Sequence, residues 1–312
     1  MKVAVLVPCY NEELTVEKVV SDFKKELPEA DIYVYDNNSK DRTSELALKA
    51  GAIVRKETAQ GKGNVVRSMF RDIDADVYVM VDGDDTYPAD EVHKLIDAVA
   101  IDGADMVIGD RLSNGTYASE NKRGFHNLGN NLVRKLINVI FKNNLQDIMT
   151  GYRAFSKKFV KTNAIMSPGF QIETELTITT LVYRYKVIEI PITYRDRPEG
   201  SHSKLNTFED GMKVLLTLFD LYKDYRPLFF FSMISVFVLL FGLLIGTPVL
   251  LEFVKTQFIT KVPSAILASS LVVISVLLLI LGLILDHSAN AEKREHEIMV
   301  NNWVYEESKR NK

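Results

Sequence analysis

Val77-Tyr78-Val79-Met80-Val81 runs directly into Asp82-Gly83-Asp84-Asp85-Thr86-Tyr87-Pro88. Five β-formers broken at once by acids, glycine and proline predict a buried strand that ends in a turn. The acids then stand at the strand's carboxyl end, where open α/β sheets bind ligands. Three carboxylates within four residues repel one another, and a cation relieves that repulsion. The neighbouring donors are oxygens, so the cation should be hard: Mg²⁺ or Mn²⁺, with positions left open for phosphate and water. A solvated acidic turn is the competing reading of Asp82-Gly83-Asp84 taken alone. An EF-hand is excluded, because the twelfth position from Asp82 is His93, not Glu.

Outward from this strand, the chain alternates. Val3-Ala4-Val5-Leu6-Val7 is extended, and Val16, Val19, Val20, Phe23 and Leu27 then recur at helical spacing. Ile32-Tyr33-Val34-Tyr35 is extended again. A helix over 44–50 stops at Gly51, a strand covers 52–54, and a helix covers 63–73. After the acidic turn come a helix over 89–101 and the strand Met106-Val107-Ile108. Such repetition predicts a doubly wound, mostly parallel sheet. Beyond Arg111, Leu132, Val133, Leu136, Ile137, Ile140 and Phe141 form one apolar face, with Arg134, Lys135 and Lys142 off it. That makeup suits a helix at a membrane surface, and nearly as well a core helix. A helix over 173–185, an extended segment over 187–194 and an amphipathic helix over 208–225 follow.

The chain has 312 residues, 47% of them hydrophobic, which is enough for one substantial domain and something more. The surplus lies in residues 228–251 and 264–285, nearly free of charge and each at about 20 residues long enough to cross a bilayer. Their short linker makes them a helical hairpin. Lys213, Lys223 and Arg226 precede it and Lys293, Arg294, Lys309, Arg310 and Lys312 follow, while the loop region offers Lys255 and Lys261. This bias places the globular part and the tail in the cytoplasm of a multi-pass plasma-membrane protein. The net charge of −3 and the lack of an aromatic-basic motif argue against a nucleic-acid partner. The apolar start is too short for a signal peptide. The single cysteine, Cys9, excludes an intramolecular disulfide and is expected to be a packed thiol.

Strand one ends Pro8-Cys9-Tyr10-Asn11-Glu12-Glu13 and strand two ends Asp36-Asn37-Asn38-Ser39-Lys40-Asp41. With Asp82-Gly83-Asp84, three strand ends bring polar groups to one rim, which suits a nucleotide. Here the sequence resembles the family 2 inverting glycosyltransferases of the nucleotide-diphospho-sugar (GT-A) fold, whose first strand ends Pro-x-Tyr-Asn-Glu. The second segment resembles that family's Asp-Asp-Gly-Ser-x-Asp, with Asn37 for the second Asp and Asn38 for the Gly. Gln60-Gly61-Lys62-Gly63-Asn64 resembles its Gly-Lys-Gly loop, whose glycines let backbone N–H groups near the nucleotide. A plain helix-start loop is the alternative. The resemblance implies a donor site of Pro8, Tyr10, Glu12, Asp36, Asn37, Lys62, Asp82 and Gly83, with either Asp36 or its neighbour reading the base or ribose.

A closer resemblance is to the dolichol-phosphate mannose synthase and undecaprenyl-phosphate glycosyltransferase branch, from residue 1 to about 226. It rests on Gly109-Asp110-Arg111, on Gln146-Asp147-Ile148-Met149-Thr150-Gly151-Tyr152-Arg153-Ala154-Phe155 and on Gly169-Phe170-Gln171-Ile172-Glu173-Thr174-Glu175. It rests also on Arg195-Asp196-Arg197-Pro198-Glu199-Gly200-Ser201-His202-Ser203-Lys204-Leu205. The implied architecture is an α/β GT-A doubly wound mixed sheet with amphipathic interfacial helices and a C-terminal transmembrane hairpin. Its expected divisions are a catalytic domain (1–204), a juxtamembrane helix (205–227), the hairpin (228–285) and a tail (286–312), in which a homo-oligomer is allowed. Asp82 and Asp84 are the implied ligands of Mg²⁺ or Mn²⁺, Thr86 holds the position of a further contact that is often Gln, and Asp147 matches the catalytic Asp. The implied donor is a nucleotide-diphospho-sugar, UDP-linked by preference, and the acceptor is a polyprenyl phosphate.

The chemistry is coherent with that resemblance. A divalent ion on Asp82 and Asp84 neutralises the charge that grows on a departing diphosphate. The acceptor is a phosphate monoester whose second pKa is about 6, so it barely needs a general base. Asp147 is therefore expected to orient the acceptor or a neighbouring cation as much as to accept a proton, with a structural Asp at a turn as the alternative. Arg111, Arg123, Arg197 and Lys204 are candidates to clamp the acceptor phosphate. Direct attack on the anomeric carbon inverts its configuration. A polyprenyl phosphate presents its head group at the bilayer, within reach of an anchored enzyme. A processive polysaccharide synthase is disfavoured, since its Gln-x-x-Arg-Trp motif needs a tryptophan and the only one is Trp303. A nucleotidyltransferase is disfavoured by Pro8-Cys9-Tyr10-Asn11 where its Gly-rich signature would stand. The alternatives are a non-catalytic membrane scaffold or transport accessory that keeps the fold, or a transferase with another lipid acceptor.

Overall fold

The run Val77-Tyr78-Val79-Met80 is buried at all four positions, as expected of a strand covered on both faces. In the computed structural model the described residues are 1–113, 124–198, 200, 212, 216, 218–220 and 222–310, with the side chains of 124–132 outside the description. Arg123, Lys204 and much of the expected juxtamembrane helix lie outside the described residues. The chain forms two compact units, Met1–Leu218 with Glu297–Lys312, and Phe219–His296.

The first unit runs β1 (Val3–Cys9), α1 (Val16–Glu26), β2 (Asp31–Asp36), α2 (Thr43–Lys49), β3 (Ile53–Lys56), α3 (Lys62–Asp72) and β4 (Val77–Met80). After a 3-10 turn at Ala89–Glu91 come α4 (Val92–Ala100), β5 (Met106–Asp110), α5 (Gly124–Phe141), β6 (Arg153–Ser156), α6 (Lys157–Thr162), α7 (Ile172–Val182) and β7 (Val187–Pro191). Seven strands form one sheet in the order β3-β2-β1-β4-β6-β5-β7. All neighbours pair in parallel except β6, which is antiparallel to β4 and to β5. The chain leaves β1 for β2 and β3 on one side, then returns to place β4 on the other. The gap between β1 and β4 is thus a topological switch point, where such sheets bind ligands.

β6 is not legible as a strand in the sequence. It has four residues and begins with Arg153, a fully buried cation. The guanidinium donates to Thr150 O at 3.0 Å, Ile148 O at 2.5 Å and Thr177 Oγ1 at 3.0 Å, so burial leaves it hydrogen-bonded. Burial also pulls its pKa down to about 10. On α5, Val133 and Ile137 are buried while Leu136 and Val139 are exposed, so the face divides between core and surface. Cys9 is buried, and burial pushes its thiol pKa up.

In the second unit α8 (Pro227–Thr256) and the apolar part of α9 (Val262–Arg310) are each long and apolar enough to cross a membrane. Apart from Pro227 at the first helix's start, their buried residues recur every seventh position: Ser235, Gly242 and Val249 on one, Ala268, Ser275, Gly282 and Ala289 on the other. A Cβ on Gly242 would stand 3.0 Å from Leu271 Cβ, and one on Gly282 2.9 Å from Phe231 Cβ, so small residues set the close approach. Ser235 Oγ donates to Ser275 O at 2.7 Å across this seam. α9 continues past the apolar stretch to Arg310. Its last turns belong to the first unit, where Lys157 Nζ meets Glu307 Oε1 at 2.9 Å.

Candidate active site

Parallel pairing puts the carboxyl ends of β2, β1 and β4 on one edge. Thr15 Oγ1 donates to Gly83 O at 2.6 Å and stitches the loop after β1 to the acidic turn after β4. A Cβ on Gly83 would stand 2.6 Å from Cys9 Sγ, so only glycine lets these two strand ends close up. Pro8, Tyr10 and Glu12 are half-buried on this edge, and Glu12 N donates to Thr43 Oγ1 at 2.8 Å.

At the end of β2, Asp36 accepts from Ser39 N at 2.9 Å and from Ser44 Oγ at 2.6 Å. Burial raises the cost of its charge, yet the bonds from Ser39 and Ser44 outweigh that and hold its pKa down. Asn37 is buried and saturated. Its amide N–H groups donate to Glu57 O at 3.0 Å and Ala59 O at 2.8 Å, while its oxygen accepts from Gln60 Nε2 at 3.2 Å and Gly61 N at 2.7 Å. An aspartate cannot donate to those two carbonyls. Asn37 is therefore a clip that ties β2 to the Gly61-Lys62-Gly63 loop, which gives its departure from Asp a physical reason.

That loop brings Lys62 to the acidic corner. Its Nζ lies 2.5 Å from Asp82 Oδ1 and 2.5 Å from Glu173 Oε1. Burial works against the ammonium, but Asp82 and Glu173 overcome it and push its pKa up. Asp82 packs against Gly151, where a Cβ would collide with the carboxylate. Asp84 is ion-paired with Arg197 and accepts from Thr86 Oγ1 at 2.6 Å and Thr86 N at 3.2 Å. Burial first, then the charge of Asp82, raise the pKa of Asp84, with Arg197 and Thr86 pulling back. Asp82 and Asp84 offer only oxygen donors, and among the described residues no third carboxylate or imidazole completes a metal cluster with them. Such a set fits a hard divalent ion that keeps positions for phosphate and water.

Asp147 is 1% exposed and grips Arg111 through a fork. Arg111 Nε donates to Oδ2 at 2.7 Å and Nη2 to Oδ1 at 3.0 Å, and the Arg111 and Met149 backbone N–H groups add bonds at 3.1 and 3.3 Å. Arg111 Nη1 reaches Tyr87 Oη at 3.3 Å, and that oxygen also accepts from Gly151 N at 3.0 Å. The Asp147 cluster is thus joined through Tyr87 and Gly151 to Asp82. Burial pushes the Tyr87 phenol pKa up. Glu189, on β7, accepts from Gln146 N at 2.8 Å and Asp147 N at 3.0 Å and fixes the loop that carries Asp147.

The structure therefore gathers Asp82, Gly83, Asp84, Lys62, Arg111, Asp147 and Arg197, and sets Pro8, Tyr10, Glu12, Asp36 and Asn37 along the adjoining rim. Sequence reasoning assigned no role to Glu173, Tyr87, Glu189 or Arg153. Each is a charged or polar side chain inside an apolar or motif-bearing stretch, the pattern of a buried group that needs a partner.

The glycosyl transferase family 2 profile matches residues 4–163. Glycosyltransferase AglJ of Haloferax volcanii is 33% identical over 285 residues, covering 91% of this chain and 92% of its own length. The dolichyl-phosphate hexose transferase of the same organism is 31% identical over 211 residues, or 68% of this chain and 90% of its own. In fold, the chain is similar to glucosyl-3-phosphoglycerate synthase from Mycobacterium tuberculosis, solved with Mn²⁺, UDP and glucosyl-3-phosphoglycerate. The TM-score is 0.57 at 20% identity, over 70% of this chain and 79% of the other.

Proposed function

The chain belongs to glycosyl transferase family 2, and from that premise we propose that it transfers a hexose or N-acetylhexosamine from a nucleotide-diphospho-sugar, UDP-linked by preference, to a polyprenyl phosphate. It is a glycosyltransferase of the GT-A fold, and its relatives include a dolichyl-phosphate hexose transferase. The observation that carries the finer reading is the junction of Asp82 and Asp84 with Arg197 and with the Arg111–Asp147 fork, through Tyr87 and Gly151. Two anionic substrates must meet in this reaction, and a rim with paired acids beside the buried guanidinium of Arg111 and the half-buried one of Arg197 suits that task.

Asp82 and Asp84 would hold Mg²⁺ or Mn²⁺, which when bound offsets the negative charge developing on the diphosphate leaving group. Asp36 and the half-buried loop after β1 face the nucleoside end. Asn37 acts on the donor indirectly, by holding the Lys62 loop. Asp147 has both oxygens committed to Arg111, so it serves as the anchor of that guanidinium rather than as a base. Arg111 and Arg197, with Arg123 and Lys204, orient the acceptor phosphate. One of its anionic oxygens attacks the anomeric carbon, a new C–O bond forms as the C–O bond to the diphosphate breaks, and the electron pair leaves on the nucleoside diphosphate. Attack from the opposite face inverts the centre.

The apolar helices α8 and α9 support a membrane anchor, and Arg226, Lys293 and Arg294 flanking them support a catalytic unit and C-terminus on the cytoplasmic side. Residues 1–204 are the proposed catalytic domain and 286–312 the proposed tail. The test is incubation of the purified full chain with undecaprenyl phosphate, Mn²⁺ and a panel of UDP- and GDP-sugars, with the lipid product identified by mass. A lipid phosphate carrying one sugar from one donor is expected. Hydrolysis alone, or transfer only to a soluble acceptor, would overturn the reading.

A further inference from the structure

Lys62 has a fixed backbone and two carboxylates to choose between. Gly61 is held at φ 127°, and a Cβ there would collide with Pro168 O, as one on Gly63 would with Ser167 O. Asn64 N donates to Pro168 O at 3.2 Å, and Asn37 Oδ1 takes Gly61 N at 2.7 Å. The loop is clamped on both sides of Lys62, so only the four-carbon stem can move. At its end Nζ is shared between Asp82 and Glu173, at 2.5 Å from each. Glu173 is buried in the first turn of α7, where the helix dipole favours a carboxylate. With Arg197 on Asp84, three carboxylates of the corner face two side-chain cations.

On the reading of Asp82 and Asp84 as the metal–diphosphate site, we propose that Lys62, anchored by Glu173, is a built-in counter-cation that competes with the divalent ion for Asp82. An ion alone must displace an ammonium already in contact with Asp82 Oδ1, and is held weakly. An ion that arrives on a diphosphate brings its own oxygen ligands and wins Asp82, while Lys62 remains with Glu173. Glu173 is then a positioning residue: it gives the released ammonium a partner, so the exchange does not strand a buried charge. The contact with Lys62 thus lowers the affinity of the ion for Asp82, and the diphosphate makes up that loss by supplying oxygen ligands of its own.

The experiment is Mn²⁺ binding to the purified full chain, read from loss of the free-ion paramagnetic resonance signal, with and without UDP. The variants are Lys62→Met, Lys62→Arg and the double variant Lys62→Met with Glu173→Gln. In the wild type, Mn²⁺ alone should bind weakly and UDP should tighten it. Lys62→Met should bind Mn²⁺ alone about tenfold more tightly than wild type. Lys62→Arg, which keeps the cation, should match wild type. The double variant removes the stranded Glu173 charge and should keep the gain even if Lys62→Met fails to fold. Wild-type Mn²⁺ affinity without UDP in Lys62→Met or, where that variant does not fold, in the double variant would overturn the proposal while leaving the metal–donor reading intact. No Mn²⁺ binding by wild type even with UDP would overturn that reading, and the proposal with it.

Discussion

Asp147 receives Arg111 through two separate oxygens, at 2.7 and 3.0 Å, whereas Asp82 receives one ammonium that it shares with Glu173. The first cluster is geometrically saturated: a planar fork, backbone N–H groups on the same carboxylate and Glu189 beneath the loop. The second is held by point charge, with Lys62 on a flexible stem and Arg197 on Asp84 from a segment whose side chain is a quarter exposed. A fork resists exchange because several bonds must break together, while a shared ammonium can slide from one acid to the other. The two clusters meet through Tyr87 and Gly151. One rim therefore carries a fixed post beside an exchangeable pair, which is what a site needs if it is to keep its shape while a charged donor comes and goes.

The largest effect should fall on the exchangeable side. Asp84→Asn should lower sugar transfer about a thousandfold with the thermal midpoint essentially kept, measured by radiolabelled transfer and melting side by side. A loss of the fold with it would move Asp84 to the structural side. Arg111→Ala should strike the fold as well as transfer, costing about 3–5 kcal/mol of stability because Asp147 is left charged and buried, as read by denaturant unfolding. If that variant instead melts like wild type and loses only activity, the fork is no post. Asn37→Asp should cost about 2–3 kcal/mol, since Glu57 O and Ala59 O lose their donors and face a carboxylate. Arg197→Ala should cost less stability than Arg111→Ala in the same unfolding assay, because the Arg197 side chain is a quarter exposed whereas that of Arg111 is buried. Its signature should be a raised KM for the lipid phosphate, and an unchanged lipid KM would remove Arg197 from the acceptor site.

Much of this rim can be read before any coordinates. Pro8, Asp36 and Asp82 each follow or end a run of β-formers, so the unbroken apolar run and its abrupt end place them at strand ends, and parallel topology puts those ends together. What escapes is anything decided across distance. Lys62 and Glu173 are 111 residues apart, and no spacing rule pairs them. Asn37 looks like an altered nucleotide contact until its four bonds are seen to close on the Glu57–Gly61 segment. β6 hides because four residues headed by an arginine carry no alternation, and its strand state is set by β4 and β5 on either side. α9 runs on to Arg310 through a polar stretch whose sequence offers no breaker, where apolar content alone marks an end near residue 285.

The most direct measurement is sugar transfer to undecaprenyl phosphate by the purified chain in excess chelator, followed by addition of Mn²⁺ or Mg²⁺. Lipid-linked sugar should be absent with the chelator and return with either ion. A full rate in chelator would contradict the assignment of Asp82 and Asp84 as the grip on a divalent ion.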